Sequence, residues 1–144
     1  MAGWSYEDEG LPTDALRINS LSVTPDPPKP GSTVTLRIDA AATRTIEDGA
    51  YFDLTIKLGL VKLLHRRFDL FEELRGGGSE VLKLSCSTSD GKSPIPAGGT
   101  VLTAVIDLAR EVPRAKFRLD VRAFTVDEDD LAALKFDVDF MAVR

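Results

Sequence analysis

A single cysteine, Cys86, and a single histidine, His65, stand in a chain of 144 residues. One thiol makes no internal disulfide, and these two side chains are too few soft ligands for a structural zinc site. The fold therefore has to hold through its core. Long apolar runs are also missing, since none approaches the ~18 residues that a membrane-spanning helix needs. Positive charge is in deficit, with 18 Lys and Arg against 23 Asp and Glu and a net charge of −5. Such a field repels phosphate backbones and argues against nucleic acid as a partner. The glycine run Gly76–Gly78 lacks the Lys and Ser/Thr of a phosphate loop. The start, MAGWSYEDEG, has neither the basic nor the apolar region of a signal peptide, so a cytoplasmic or unconventionally exported chain is expected, or a mature form given a start methionine.

Candidate chemistry is equally sparse. A Ser or Cys nucleophile needs a base within reach, and His65 sits beside Arg66 and Arg67, whose charge disfavours an imidazolium. It reads as a surface histidine. Cys86 falls on the apolar phase of its segment and reads as an inert thiol. Asp120, Asp137 and Asp139 alternate with apolar residues, as outward solubilising charges do. The DEDD run Asp127–Asp130 reads as a solvated hairpin tip, because the ligand spacing and Gly bend of a calcium loop are missing. Neither an enzyme nor a metal or cofactor is expected.

What the chain does have is alternation. Leu16 and Ile18, then Leu21 and Val23, alternate with polar neighbours, and the phase slips between the two pairs as it does at a β-bulge. Pro25, Pro27, Pro28 and Pro30 then remove backbone donors, so a sheet ladder stops there. Val34 to Ala40, Phe52 to Leu60, Val81 to Cys86, Leu102 to Leu108, Phe117 to Ala123 and Leu134 to Phe140 each carry a period of two. Val61 to Phe71 fits a strand and also a helical face; a strand is the preferred reading. About eight short strands with Pro and Gly punctuation make a single all-β domain over 1–144, a two-sheet β-sandwich of antiparallel strands.

Four segments carry a further signal: GLPTDALRINSLSVTPDPPKPG, EDGAYFDLTIKLGLVKLLHRRFDLFEEL, EVPRAKFRLDVRAFTVDEDD and the closing LKFDVDF. In this order they resemble the fungal phosphatidylglycerol/phosphatidylinositol transfer proteins of the ML lipid-recognition family, which also includes sterol carriers and mite allergens. The resemblance implies an immunoglobulin-like sandwich whose inner faces part to form a lipid cavity for a phospholipid, fatty acid or sterol. It also implies cysteines where this chain has Glu9, Phe71 and Ala132 or Ala133, with Cys86 as the remaining mid-chain one. The core must then replace bridges typically worth ~2–4 kcal/mol each.

On that resemblance the cavity walls come from the inward phases: Ile38, Phe52, Leu54, Ile56, Leu58, Phe68, Leu102, Ile106, Phe117, Val121, Phe124 and Phe136. Any of these residues could equally be plain core. A cluster of Lys62, His65, Arg66 and Arg67 interleaved with Leu60, Val61, Leu63 and Leu64 is the candidate for docking transiently on a membrane surface, at ~1 kcal/mol per basic residue near anionic lipid. The rival class is an immunoglobulin-like interaction module, packed solid between its sheets and acting through its surface.

Overall fold

A computed structural model describes residues 4–11, 13–24, 30–76, 82–108, 110–111 and 115–140. The proline turn expected over Pro25–Pro28, the glycines Gly77 and Gly78, and Val81 lie outside them. Nine strands run β1 (Trp4–Asp8), β2 (Leu16–Thr24), β3 (Thr33–Ala42), β4 (Tyr51–Leu58), β5 (Val61–Asp69), β6 (Leu82–Cys86), β7 (Gly98–Asp107), β8 (Lys116–Phe124) and β9 (Asp130–Asp139), with one helix, α1 (Leu70–Leu74), after β5. They form two antiparallel sheets, β1-β9-β8-β4-β5 and β2-β3-β7-β6. The expected sandwich is present with one strand more than the alternation foretold. That strand is β1, which pairs Trp4 to Asp8 with Val138 to Leu134, and whose Trp4 and Tyr6 rings stack 6.0 Å apart on one face.

The phase slip in β2 is a register shift between Ile18 and Ser20 against β3. It lets Leu16 and Ile18 share a face with Leu21 and Val23 even though the spacing is odd. The ambiguous stretch resolves into both candidates, a strand to Asp69 and then a five-residue helix. Asp69 is the switch: its carboxylate accepts the Phe71 and Glu72 N–H groups at 3.0 Å, satisfying orphan donors of the first turn. Leu60, read as the end of a strand, instead forms the hairpin turn with Gly59, whose φ of +61° suits glycine at the first position of a two-residue loop.

The contiguous core lies at one end of the sandwich. Leu16 of β2, Ala40 and Ala42 of β3, Leu102 of β7 and Leu131 of β9 meet Ile46, Ala50 and Ile95 from the connecting loops, with Leu70, Phe71 and Leu74 of α1 plugging the end. Phe71, fully inaccessible to solvent, is the largest side chain there. An isolated bridge, Ile46 to Ile95, holds the two loops together with reciprocal backbone bonds of 2.8 and 3.0 Å. The positions where the resemblance implies cysteines remain close without them. Glu9 N–H donates to the Ala133 carbonyl at 2.9 Å and its carboxylate meets Lys135 at 3.6 Å. Cys86 packs against the cluster that contains Phe71.

Candidate functional site

Pairing registers fix which side chains share the inner face of the five-stranded sheet. Because Cβ atoms alternate along each strand, one row across it reads Tyr6, Phe136, Leu119, Ile56, Leu64, and the next reads Asp8, Leu134, Val121, Leu54, Arg66. A third row, Ala132, Ala123, Phe52, Phe68, packs against the closed-end core, which makes this phase the inward one. A fourth, Trp4, Val138, Phe117, Leu58, Val61, lies at the opposite end. The facing sheet presents Val34, Ile106 and Leu82, then Val23, Leu36, Ala104 and Leu84, then Leu21, Ile38, Leu102 and Cys86.

These two apolar walls are not packed solid. Phe52, Leu54, Ile56 and Leu58 of β4 are all half-buried although β4 has a strand on each side. Leu36, Ile38, Leu84, Ile106, Leu119, Val121 and Val138 across and beside them are half-buried as well. Val34, Phe117 and Phe136 are covered, yet none of them belongs to the contiguous cluster at the closed end. Interior residues of a tightly packed sandwich lose nearly all solvent contact. Partial access along a strand's inward phase leaves the space between the sheets, the candidate cleft, less fully covered along β4 than at the α1 end.

Eleven of the twelve wall residues expected from sequence, all but Phe124, share these inward phases. Phe124 does not. Alternation after Phe117, Leu119, Val121 and Ala123 puts it on the outer face, paired with Tyr51, ring centroids 5.3 Å apart. Leu36, Leu119, Leu82, Leu84, Tyr6 and Trp4 share the inward phases without having been singled out, although the alternation of Leu119 with Arg118 and Asp120 already carried the signal.

The expected docking cluster sits on β5, an edge strand, but its members part company. Arg67 faces outward, binds Asp53 through Nε at 2.9 Å and a second nitrogen at 3.3 Å, and lies 4.2 Å over the Tyr51 ring. The Asp53 hydrogen bond raises the Arg67 pKa further above its ordinary value. His65 Nδ1 lies 2.8 Å from Thr55 Oγ1 on the same outer face. Lys62 stands opposite Lys57 where the register slips, next to the tip. Arg66 alone points inward, its guanidinium 4.8 Å over the Phe68 ring. Beyond them the hairpin tip is bare: Leu60 is 104% exposed, Val61 60%, Leu63 51% and Leu64 39%.

Two other hollows are polar. A depression of about 560 Å3 on the outer face of the five-stranded sheet is lined by Lys57, Arg118, Arg122 and Lys135 with Glu9 and Asp120. A smaller one, about 140 Å3, reaches Asp14, Asp130 and Arg122 near the closed end. Asp14 is buried there. One of its oxygens accepts the Leu11 N–H at 2.9 Å, and the other has no partner among the described residues. Burial, with the Asp130 and Asp8 carboxylates near, pushes its pKa up against the lowering effect of the Leu11 bond. Neither hollow offers the apolar lining of the cleft.

The class the structure defines is an antiparallel two-sheet β-sandwich with apolar inner faces. The ML domain model matches residues 9–140, and the chain belongs to that family. It is 42% identical over 138 residues to a phosphatidylglycerol/phosphatidylinositol transfer protein of Cryptococcus neoformans var. neoformans serotype D, covering 96% of this chain and 71% of the relative. A protein of the same name from Mycosarcoma maydis is 32% identical over 96% of this chain and 66% of its own length. Among solved structures, a Niemann-Pick type C2 protein from Japanese carpenter ant superposes with a TM-score of 0.66 at 11% identity, over 94% of this chain and 98% of that one. That last likeness is one of fold.

Proposed function

We propose that this protein is a lipid carrier that holds the acyl part of a phospholipid, or a fatty acid or sterol, between its two sheets and exchanges it with membranes. The observation that carries the reading is the half-buried inward phase of β4, a strand flanked on both sides whose Phe52, Leu54, Ile56 and Leu58 still reach solvent. The names of its curated relatives support it.

The energetics suit a shuttle. Each methylene leaving water gains ~0.8 kcal/mol, so an apolar cleft retains a chain firmly against solution. Against a bilayer interior the same gain nearly vanishes, and loading and release become close to neutral, provided the tail never crosses open water. The cleft must therefore open onto the membrane itself. In an acidic protein, the bare Leu60–Val61 tip beside Lys57 and Lys62 is the surface whose chemistry suits an anionic bilayer. Apolar residues enter the interface while the lysines meet lipid phosphates. His65 and Arg67 face away from the cleft and belong to the outer rim of that surface.

Carriage of this kind makes and breaks no covalent bond, and it needs no cofactor. A packed interaction module, the rival reading, predicts interior residues closed to solvent, and the half-buried inward phase of β4 favours the carrier over it. Transfer of a fluorescent phospholipid from donor to acceptor vesicles is the test. Transfer proportional to protein concentration is expected, and none at any vesicle composition would overturn the carrier reading.

A further inference from the structure

We propose that Arg66 anchors the head group in the cleft, its guanidinium taking the phosphodiester of an anionic glycerophospholipid whose tails lie between the sheets. This rests on the carrier reading and adds a residue that sets its cargo preference. The inward rows of the five-stranded sheet are apolar except at their two edges, Asp8 on β1 and Arg66 on β5. Four strand spacings separate those edges, roughly 19 Å, so the two charges do not pair. Asp8 is already engaged, its carboxylate accepting the Gly10 N–H at 2.8 Å.

Arg67, Arg118, Arg44 and Arg75 pair with Asp53, Asp137, Asp129 and Asp48; Arg17, Arg37, Arg110 and Arg122 have no ion pair among the described residues, but none of these four lies on an inward row of the five-stranded sheet. Arg66 has no ion pair among the described residues either. It rests instead on the Phe68 ring, opposite Leu54 in the β4 ladder, at the border between cleft wall and solvent. An aromatic face holds a guanidinium in place while leaving its N–H edge free. A phosphodiester is the ligand this geometry fits, because the planar fork donates two parallel N–H bonds to two phosphate oxygens. A lipid whose tail occupies the Leu54–Ile56 region brings its phosphate to that lip. A zwitterionic head group carries its own ammonium counter-charge and gains less, and a sterol gains nothing from it.

The test holds docking constant and varies only the cargo. Donor vesicles of one fixed phosphatidylcholine and phosphatidylglycerol mixture carry a trace fluorescent reporter that is either phosphatidylglycerol or phosphatidylcholine. Arg66→Gln is expected to lower phosphatidylglycerol transfer about tenfold and phosphatidylcholine transfer less than about twofold. Arg66→Lys, which keeps the charge, should recover part of the loss, and Arg67→Gln should leave the ratio of the two rates unchanged. Equal urea midpoints for all variants exclude a folding defect. Rates that fall together, or do not fall, overturn the anchor while leaving the carrier standing; a wild type that moves neither reporter overturns both. Soluble glycerophosphoglycerol should compete only weakly. Competition as strong as that of the lipid assigns Arg66 to a free phosphodiester and overturns a lipid anchor.

Discussion

The two ends of this sandwich are built from similar residues and do opposite things. At the α1 end, Phe71, Ile46, Ile95 and Leu131 are almost wholly removed from solvent and join both sheets into one cluster. At the β4–β5 hairpin end, Ile56 and Leu58 stay half-buried, and Leu60 and Val61 stand in the open. Hydrophobic content is not the difference; closure is. A helix capped by Asp69 and a loop bridge between Ile46 and Ile95 shut one end, and at the other a two-residue turn leaves the hairpin tip exposed. Stability is concentrated in the first region, and the second is free to exchange partners.

Substitutions sharpen that contrast. Phe71→Ala should cost about 3–5 kcal/mol of unfolding free energy, read from urea denaturation, because the plug has no room to collapse around the void. Ile56→Trp toward the hairpin end should leave the unfolding free energy within about 1 kcal/mol of wild type, yet abolish lipid transfer by filling the cleft. Should Ile56→Trp destabilise as much as Phe71→Ala, the two ends are packed alike and the contrast fails. Leu60→Ser together with Val61→Ser should weaken sedimentation with anionic vesicles by at least about tenfold, with stability within ~0.5 kcal/mol, since both side chains are exposed in the free protein.

The smallest effect concerns Asp14 at the closed end. Its pKa is raised on folding, so the native state binds the proton more readily than the unfolded chain does. The charged form therefore costs stability at neutral pH, and that cost fades as pH falls through the raised value toward the ordinary carboxylate range. Relative to Asp14→Asn, the wild type should gain stability between pH 7 and pH 4, seen as a shift in the difference between their urea midpoints. A difference that stays flat would show that burial of Asp14 carries no charge penalty.

Alternation made most of the architecture legible, because inward and outward phases in β3, β4, β7 and β8 follow the period of two without interruption. It failed where a strand ends in a turn or a cap. Leu60 fell into the hairpin turn, the strand reading of Leu70 and Phe71 gave way once Asp69 capped a helix, and Phe124 was counted inward although the alternation through Ala123 already put it on the outer phase. Arg66 shows the third limit. In the sequence it is one of four basic residues in a row of six, and only the ladder to Leu54 separates it from Arg67. Whether inward residues are packed or exposed is a property of how far the sheets stand apart, which no single strand encodes.

Native mass spectrometry of the purified chain after incubation with phosphatidylglycerol vesicles tests the cleft most directly. A complex of one protein with one lipid, lost in Ile56→Trp and kept in Leu60→Ser with Val61→Ser, is the predicted result. A wild type that stays lipid-free, or an Ile56→Trp chain that binds lipid as well as the wild type does, would contradict it.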